Sequence, residues 1–125
     1  MVYDCGLATA EEIAAKLGTE VVSVQSLNQR TVENSRNLIL GVTVQDDGQL
    51  MPLWQYGRQI LQDACLNGKT VALYVSGHQK EAESVITEFC EQLKRNGARV
   101  VGQVLYTGSH QWSIDYWISS ISPNL

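Results

Sequence analysis

Three stretches of the chain are apolar on both faces and rich in β-branched residues: Leu38 to Val44, Val71 to Val75 and Val100 to Leu105. A strand covered on one face alternates apolar with polar. An unbroken run instead predicts a strand buried on both faces, the condition of a parallel sheet between two helix layers. Val21 to Val24 is a fourth, shorter candidate, and Met1 to Tyr3 reads as the tail of a fifth.

Between these runs the period changes to that of a helix. From Glu81 onward, Ala82, Val85, Ile86, Phe89, Cys90 and Leu93 make one apolar stripe that stops at Asn96-Gly97. Leu53, Trp54, Gly57, Ile60, Leu61, Ala64 and Cys65 repeat the pattern and stop at Asn67-Gly68. Glycine supplies the left-handed conformation that closes a helix. Thr9, with Glu12 three residues later, has the spacing of a capping box ahead of Ile13, Ala14 and Leu17. A last helix starts at Ser113, carries Ile114, Trp117, Ile118 and Ile121 on its inner face, and ends before Pro123. The alternation of strand and helix, five times over, predicts an α/β domain with right-handed crossovers. Ligands of such folds bind beyond the carboxyl ends of the strands, which directs attention to 4–9, 45–49, 77–80 and 106–112.

The 125 residues suit one domain, 1–125, with no stretch that reads as a linker. Thirteen acidic against nine basic residues give a net charge of -4, and the basic ones are scattered, which argues against a nucleic-acid partner. The longest apolar run is far below a membrane span and no signal-like segment opens the chain, so the expectation is a cytoplasmic protein away from membranes. Three widely spaced cysteines suggest neither a disulfide framework nor a zinc site, and Cys65 and Cys90 are expected to pack inside their helices.

Leu38-Ile39-Leu40-Gly41, then Asp47-Gly48-Gln49-Leu50 and Trp54, resembles the third strand, loop and helix of the flavodoxins. Val71-Ala72-Leu73-Tyr74 with Gly77 and Gln79 is similar to the fourth strand and loop, and 96–102 to the approach to the fifth strand. The resemblance covers nearly the whole chain. It implies a flavodoxin-like three-layer sandwich, with a five-stranded parallel sheet of order 2-1-3-4-5 and a shortened first strand. It also implies FMN as the family's cofactor and electron transfer between protein partners as its activity.

Those motifs belong to the scaffold, and the implied cofactor site departs from the family pattern. Flavodoxins wrap the FMN phosphate in a loop of hydroxyl residues at a helix N-terminus, where free N–H groups favour an anion. Here the loop reads Cys5-Gly6-Leu7-Ala8-Thr9-Ala10, so Cys5, Leu7 and Ala10 occupy hydroxyl positions and only Thr9 keeps a donor side chain. Gln45, two residues before Asp47, stands where a stacking Trp is common. Ala82 stands near the usual Tyr, and His78, after Gly77, replaces the Asp that precedes Gln79. Tyr106 and Trp112, from the last loop, are the remaining aromatic candidates for the flavin ring.

Three functional readings follow. The first is a protein-interaction or accessory module that binds FMN weakly or has lost it, with the Tyr-, Trp- and Ser-containing stretch 106–112 as a contact surface. The second is an FMN electron carrier with an atypical site serving a redox partner. A third, enzymatic or metal-dependent, would need Cys5, His78 and His110 to converge, and no spacing signature unites them; the chain is expected not to be an enzyme. A short first strand favours self-association, and hence a homo-oligomer, through exposed sheet edges.

Overall fold

Two of the apolar runs, those around Ile39 and Leu73, form the middle of the sheet. The computed structural model describes residues 2–4, 8–45, 47–76, 79–102, 104–106 and 114–125, with the backbone alone at 8, 9, 79 and 81. In chain order the elements are β1 (Val2–Asp4), α1 (Ala8–Leu17), β2 (Val21–Ser23), a 310 turn (Val24–Ser26), α2 (Gln29–Glu33), β3 (Asn37–Thr43) and α3 (Pro52–Asp63). They continue with β4 (Thr70–Ser76), α4 (Gln79–Arg95), β5 (Arg99–Val100), β6 (Leu105–Tyr106), α5 (Ile114–Ile121) and a closing 310 turn (Ser122–Asn124).

The strand order is β2-β1-β3-β4-β5, with β6 also on β4, and every pairing between these strands is parallel. β3 and β4 pair over all seven residues, from Asn37↔Thr70 to Thr43↔Ser76. Because side chains alternate across a strand, this register sorts the core into two layers. Tyr3, Leu40, Val42, Leu73 and Val75 meet Trp54, Leu61, Ile86 and Phe89 on the α3 and α4 side. Val2, Ile39, Ala72, Tyr74 and Leu105 meet Ala10, Ile13, Ala14, Trp117 and Ile121 on the α1 and α5 side.

The structure redraws four details. The run Val100 to Leu105 is two short strands, because Gly102 takes a positive φ of 67° and turns the chain. A Cβ there would press on Ile121 Cγ2 at 2.7 Å, so the tight packing of the α5 end also requires glycine. The helix expected between β2 and β3 is only the 310 turn and the five-residue α2, held by a reciprocal cap in which Asn28 Oδ1 accepts from Thr31 N and Thr31 Oγ1 from Asn28 N. α1 already begins at Ala8, so Thr9 lies inside its first turn and does not cap it.

The fourth concerns α3, which ends at Asp63 rather than at Asn67-Gly68. Asn96 Nδ2 donates to the carbonyls of Leu61 and Gln62, both at 2.9 Å, which satisfies the helix end from outside. The chain then extends, burying Ala64 and Leu66 and turning Cys65 to solvent. The expected packing role of Cys65 is therefore corrected: its position on the apolar stripe depended on a helical turn that is not formed. The end of α4 follows the pattern expected of Asn96-Gly97. Gly97 N donates to Lys94 O and Ala98 N to Leu93 O, with Gly97 at φ 100°.

Cys90 is half-buried, and burial, the largest influence, raises its thiol pKa above the ordinary value; Lys94 opposes and Glu91 adds. Thiolate, the reactive form, is thus scarcer at Cys90. In a Cys5→Ala background, Ellman's reagent at pH 8 should modify Cys65 at least about tenfold faster than Cys90. Equal rates, resolved by mass spectrometry, would contradict this placement of the two thiols.

Candidate functional site at the carboxyl ends of the strands

The chain steps from β1 to β2 on one side and then crosses back to β3 on the other, so the strand order reverses beside β1. Crevices at such a reversal, beyond the carboxyl ends of the strands, are where open α/β sheets hold ligands. α1 starts just beyond β1 and presents its amino end there.

Cys5, Gly6, Leu7, Gly77, His78 and Trp112 lie outside the described residues, as does His110. Thr9 lies in the first turn of α1, and the Ala10 methyl is fully buried in the layer between that helix and the sheet. Gln45 and Asp47 are exposed on a turn closed upon itself. Val44 bridges Leu50, Gln45 N donates to Gln49 O at 2.8 Å, and Gly48 N donates to Gln45 O at 2.9 Å with Gly48 at φ 83°. The Asp47 carboxylate accepts from Gln49 N at 3.0 Å, the ordinary chemistry of an Asx turn. The described residues of this turn that reach solvent most fully, Gln45, Asp47 and Gln49, include no aromatic ring.

Tyr106 belongs to the α3 and α4 layer and is 8% exposed. Burial, then the charges of Glu83 and Cys90, raise its pKa above the ordinary tyrosine value. Its ring therefore packs against the core on the α4 side. A stacking role from Tyr106 would require it to leave that layer.

The feature the sequence reading missed lies one step inside the rim. Asp4, the last residue of β1, is 1% exposed and accepts a hydrogen bond from the Tyr74 hydroxyl. Tyr74 stands on β4, so its side chain reaches over the intervening β3. Gly41 makes the reach possible: it pairs with Tyr74 in register, and a Cβ there would collide with both the Tyr74 hydroxyl and Asp4 Oδ2. The Trp117 ring meets Tyr74 edge-on, with centroids 5.8 Å apart. On the opposite face Trp54 Nε1 donates to Gly41 O at 2.7 Å, which fixes the same glycine from the α3 side. An acid directly after the apolar run Met1 to Tyr3 was the available signal, since a carboxyl group buried at a strand end demands a partner.

A parallel sheet of order 2-1-3-4-5 between two helix layers decides the fold. It is the flavodoxin fold.

Oxidised flavodoxin 1 from Bacillus cereus superposes with a TM-score of 0.78 at 19% identity, covering 100% of this chain and 97% of that one. The flavodoxin of Streptococcus pneumoniae TIGR4 gives 0.76 at 16% identity, over 99% and 97%. A Fusobacterium nucleatum flavodoxin bound to flavin mononucleotide gives 0.72 at 17%, over 99% and 96%. No protein-family model and no curated protein matches the chain. At these identities the likeness establishes the flavodoxin fold, and the ligand has to be argued from this chain's own side chains. Among the described residues no group of His, Cys, Asp and Glu is arranged to hold a metal, and no helix is long and apolar enough to cross a membrane.

The row Asp4, Gly41 and Tyr74 can be tested for stability. Tyr74→Phe removes a donor from a buried acid and should lower the free energy of unfolding by about 2 kcal/mol. Gly41→Ala forces the pair apart and should cost about 3 kcal/mol. Urea denaturation followed by tryptophan fluorescence measures both; a Gly41→Ala protein as stable as the parent would refute the close approach.

Proposed function

We propose that this flavodoxin-fold chain acts without a resident flavin, as a non-catalytic accessory module that docks protein partners. The observation that carries the reading is Asp4. It places a buried acid at the end of the central strand, on the approach to the helix start where a flavodoxin-type phosphate would sit. Like charges repel, so an ionised Asp4 would oppose a phosphate bound at that helix start.

Three further residues support the reading. Ala10 occupies a position where flavodoxins carry a hydroxyl, and its methyl is committed to the core. The turn after β3 offers a glutamine at the position of a stacking Trp, and Tyr106 is committed to the opposite layer. A flavin-free reading is thus supported by the lack of a hydroxyl at position 10 and of an aromatic ring at position 45.

A second reading, an FMN electron carrier with an atypical site, is favoured by the nearly full-length superposition on a flavodoxin bound to flavin mononucleotide. Titration of flavin-free protein with FMN, followed by flavin fluorescence and controlled with phosphate-free riboflavin, separates the two. We expect no saturation below tens of micromolar, a binding free energy weaker than about 6 kcal/mol. Asp4→Asn should then strengthen FMN binding by at least about tenfold and leave riboflavin unchanged. Submicromolar FMN binding by the parent chain would overturn the flavin-free reading and establish the carrier.

A further inference from the structure

At the other end of the sheet the amino ends of β3, β4 and β5 open on a cavity of about 640 Å³, a size suited to a small molecule. Three of the chain's nine basic residues, Arg36, Lys69 and Arg99, line it, and no acidic side chain does. This is an unexpected concentration of positive charge on a protein whose net charge is -4.

Each cation is differently placed. Lys69 Nζ donates to the carbonyls of Glu33 at 2.9 Å and Ser35 at 2.8 Å, which anchors it beneath α2 and uses two of its three donors. Arg99 Nη2 donates to Asn124 Oδ1, so the closing turn orients that guanidinium. No described residue bonds the Arg36 guanidinium, whose five donors stay available to a ligand. Gly68 and Gly97, at φ 78° and 100°, contribute backbone without side chains to the lining. Three positive side chains thus share one wall, with no acidic side chain among its lining residues.

We propose that this cavity binds a small organic anion carrying at least two negative charges, a phosphate ester or a polycarboxylate. Paired guanidinium and ammonium donors match both groups, and a single negative charge would leave the wall uncompensated. The site is independent of the flavin question, since it lies at the opposite end of the strands.

Proton–nitrogen correlation spectra at low ionic strength, where screening is weakest, give the test. Inorganic pyrophosphate is titrated in one arm and citrate in the other. We expect saturable shifts centred on the amides of Gly68, Gly97 and Thr70 in at least one arm, and the tighter arm names the chemistry. The double variant R36A/R99A should bind at least about tenfold more weakly, while Lys80→Ala, at the far end of the sheet, should bind as the parent does. Arg36 and Arg99 are exposed, and an otherwise superposable spectrum confirms that the double variant is folded. No saturable shift in either arm up to about 10 mM, or equal affinity in parent and R36A/R99A, or equal weakening by Lys80→Ala, would overturn the proposal.

Discussion

A tyrosine that reaches across a glycine to a buried acid constrains the centre of this protein. The bond from Tyr74 to Asp4 joins β4 to β1 over the top of β3, and it exists only if all three strands hold one register. A slip of one residue would turn each of these side chains to the other face of the sheet. The layer above is fitted to the same arrangement, with Trp117 set edge-on to Tyr74, and the layer below holds Gly41 through Trp54. One polar contact in the apolar middle of the sheet thus couples strand register to helix placement on both faces.

Much of this architecture was legible in the sequence because burial on both faces leaves a plain mark. The runs around Ile39 and Leu73 contain too few polar residues to face water, and they became the two seven-residue strands of the sheet. The Asn96-Gly97 signal likewise marked a real helix end, since its hydrogen bonds are local. What escaped were features set by distant neighbours. α3 ends early because a side chain from the end of α4 takes its last carbonyls, and nothing within residues 61–66 announces that. Gly102 reads as one more residue in an apolar run until the α5 end packs against it.

The candidate site was less legible, for a related reason. Sequence comparison with flavodoxins weighs the residues that face a ligand, and so it drew attention to Cys5, Leu7 and Gln45. Asp4 points the other way, into the sheet, where its importance depends on the absence of a side chain at Gly41 and the presence of a hydroxyl at Tyr74. Those residues lie 37 and 70 positions along the chain, and only the parallel register brings them level. The basic cavity was hidden similarly: its arginines and lysine are separated in sequence and look scattered until the amino ends of three strands assemble them.

The two outermost positions of the sheet have a bearing on how the protein survives at high concentration. On one side β2 offers three residues, and on the other the fifth position is divided into two pieces of two residues each by the turn at Gly102. An unpaired edge is a template for an intruding strand, and its hazard grows with the length of regular backbone it displays. Among the described residues each border displays only a short length of regular backbone. The seven-residue strands, which would make excellent fibril nuclei, are enclosed between them, so the shape of the sheet's borders guards its most aggregation-prone segments.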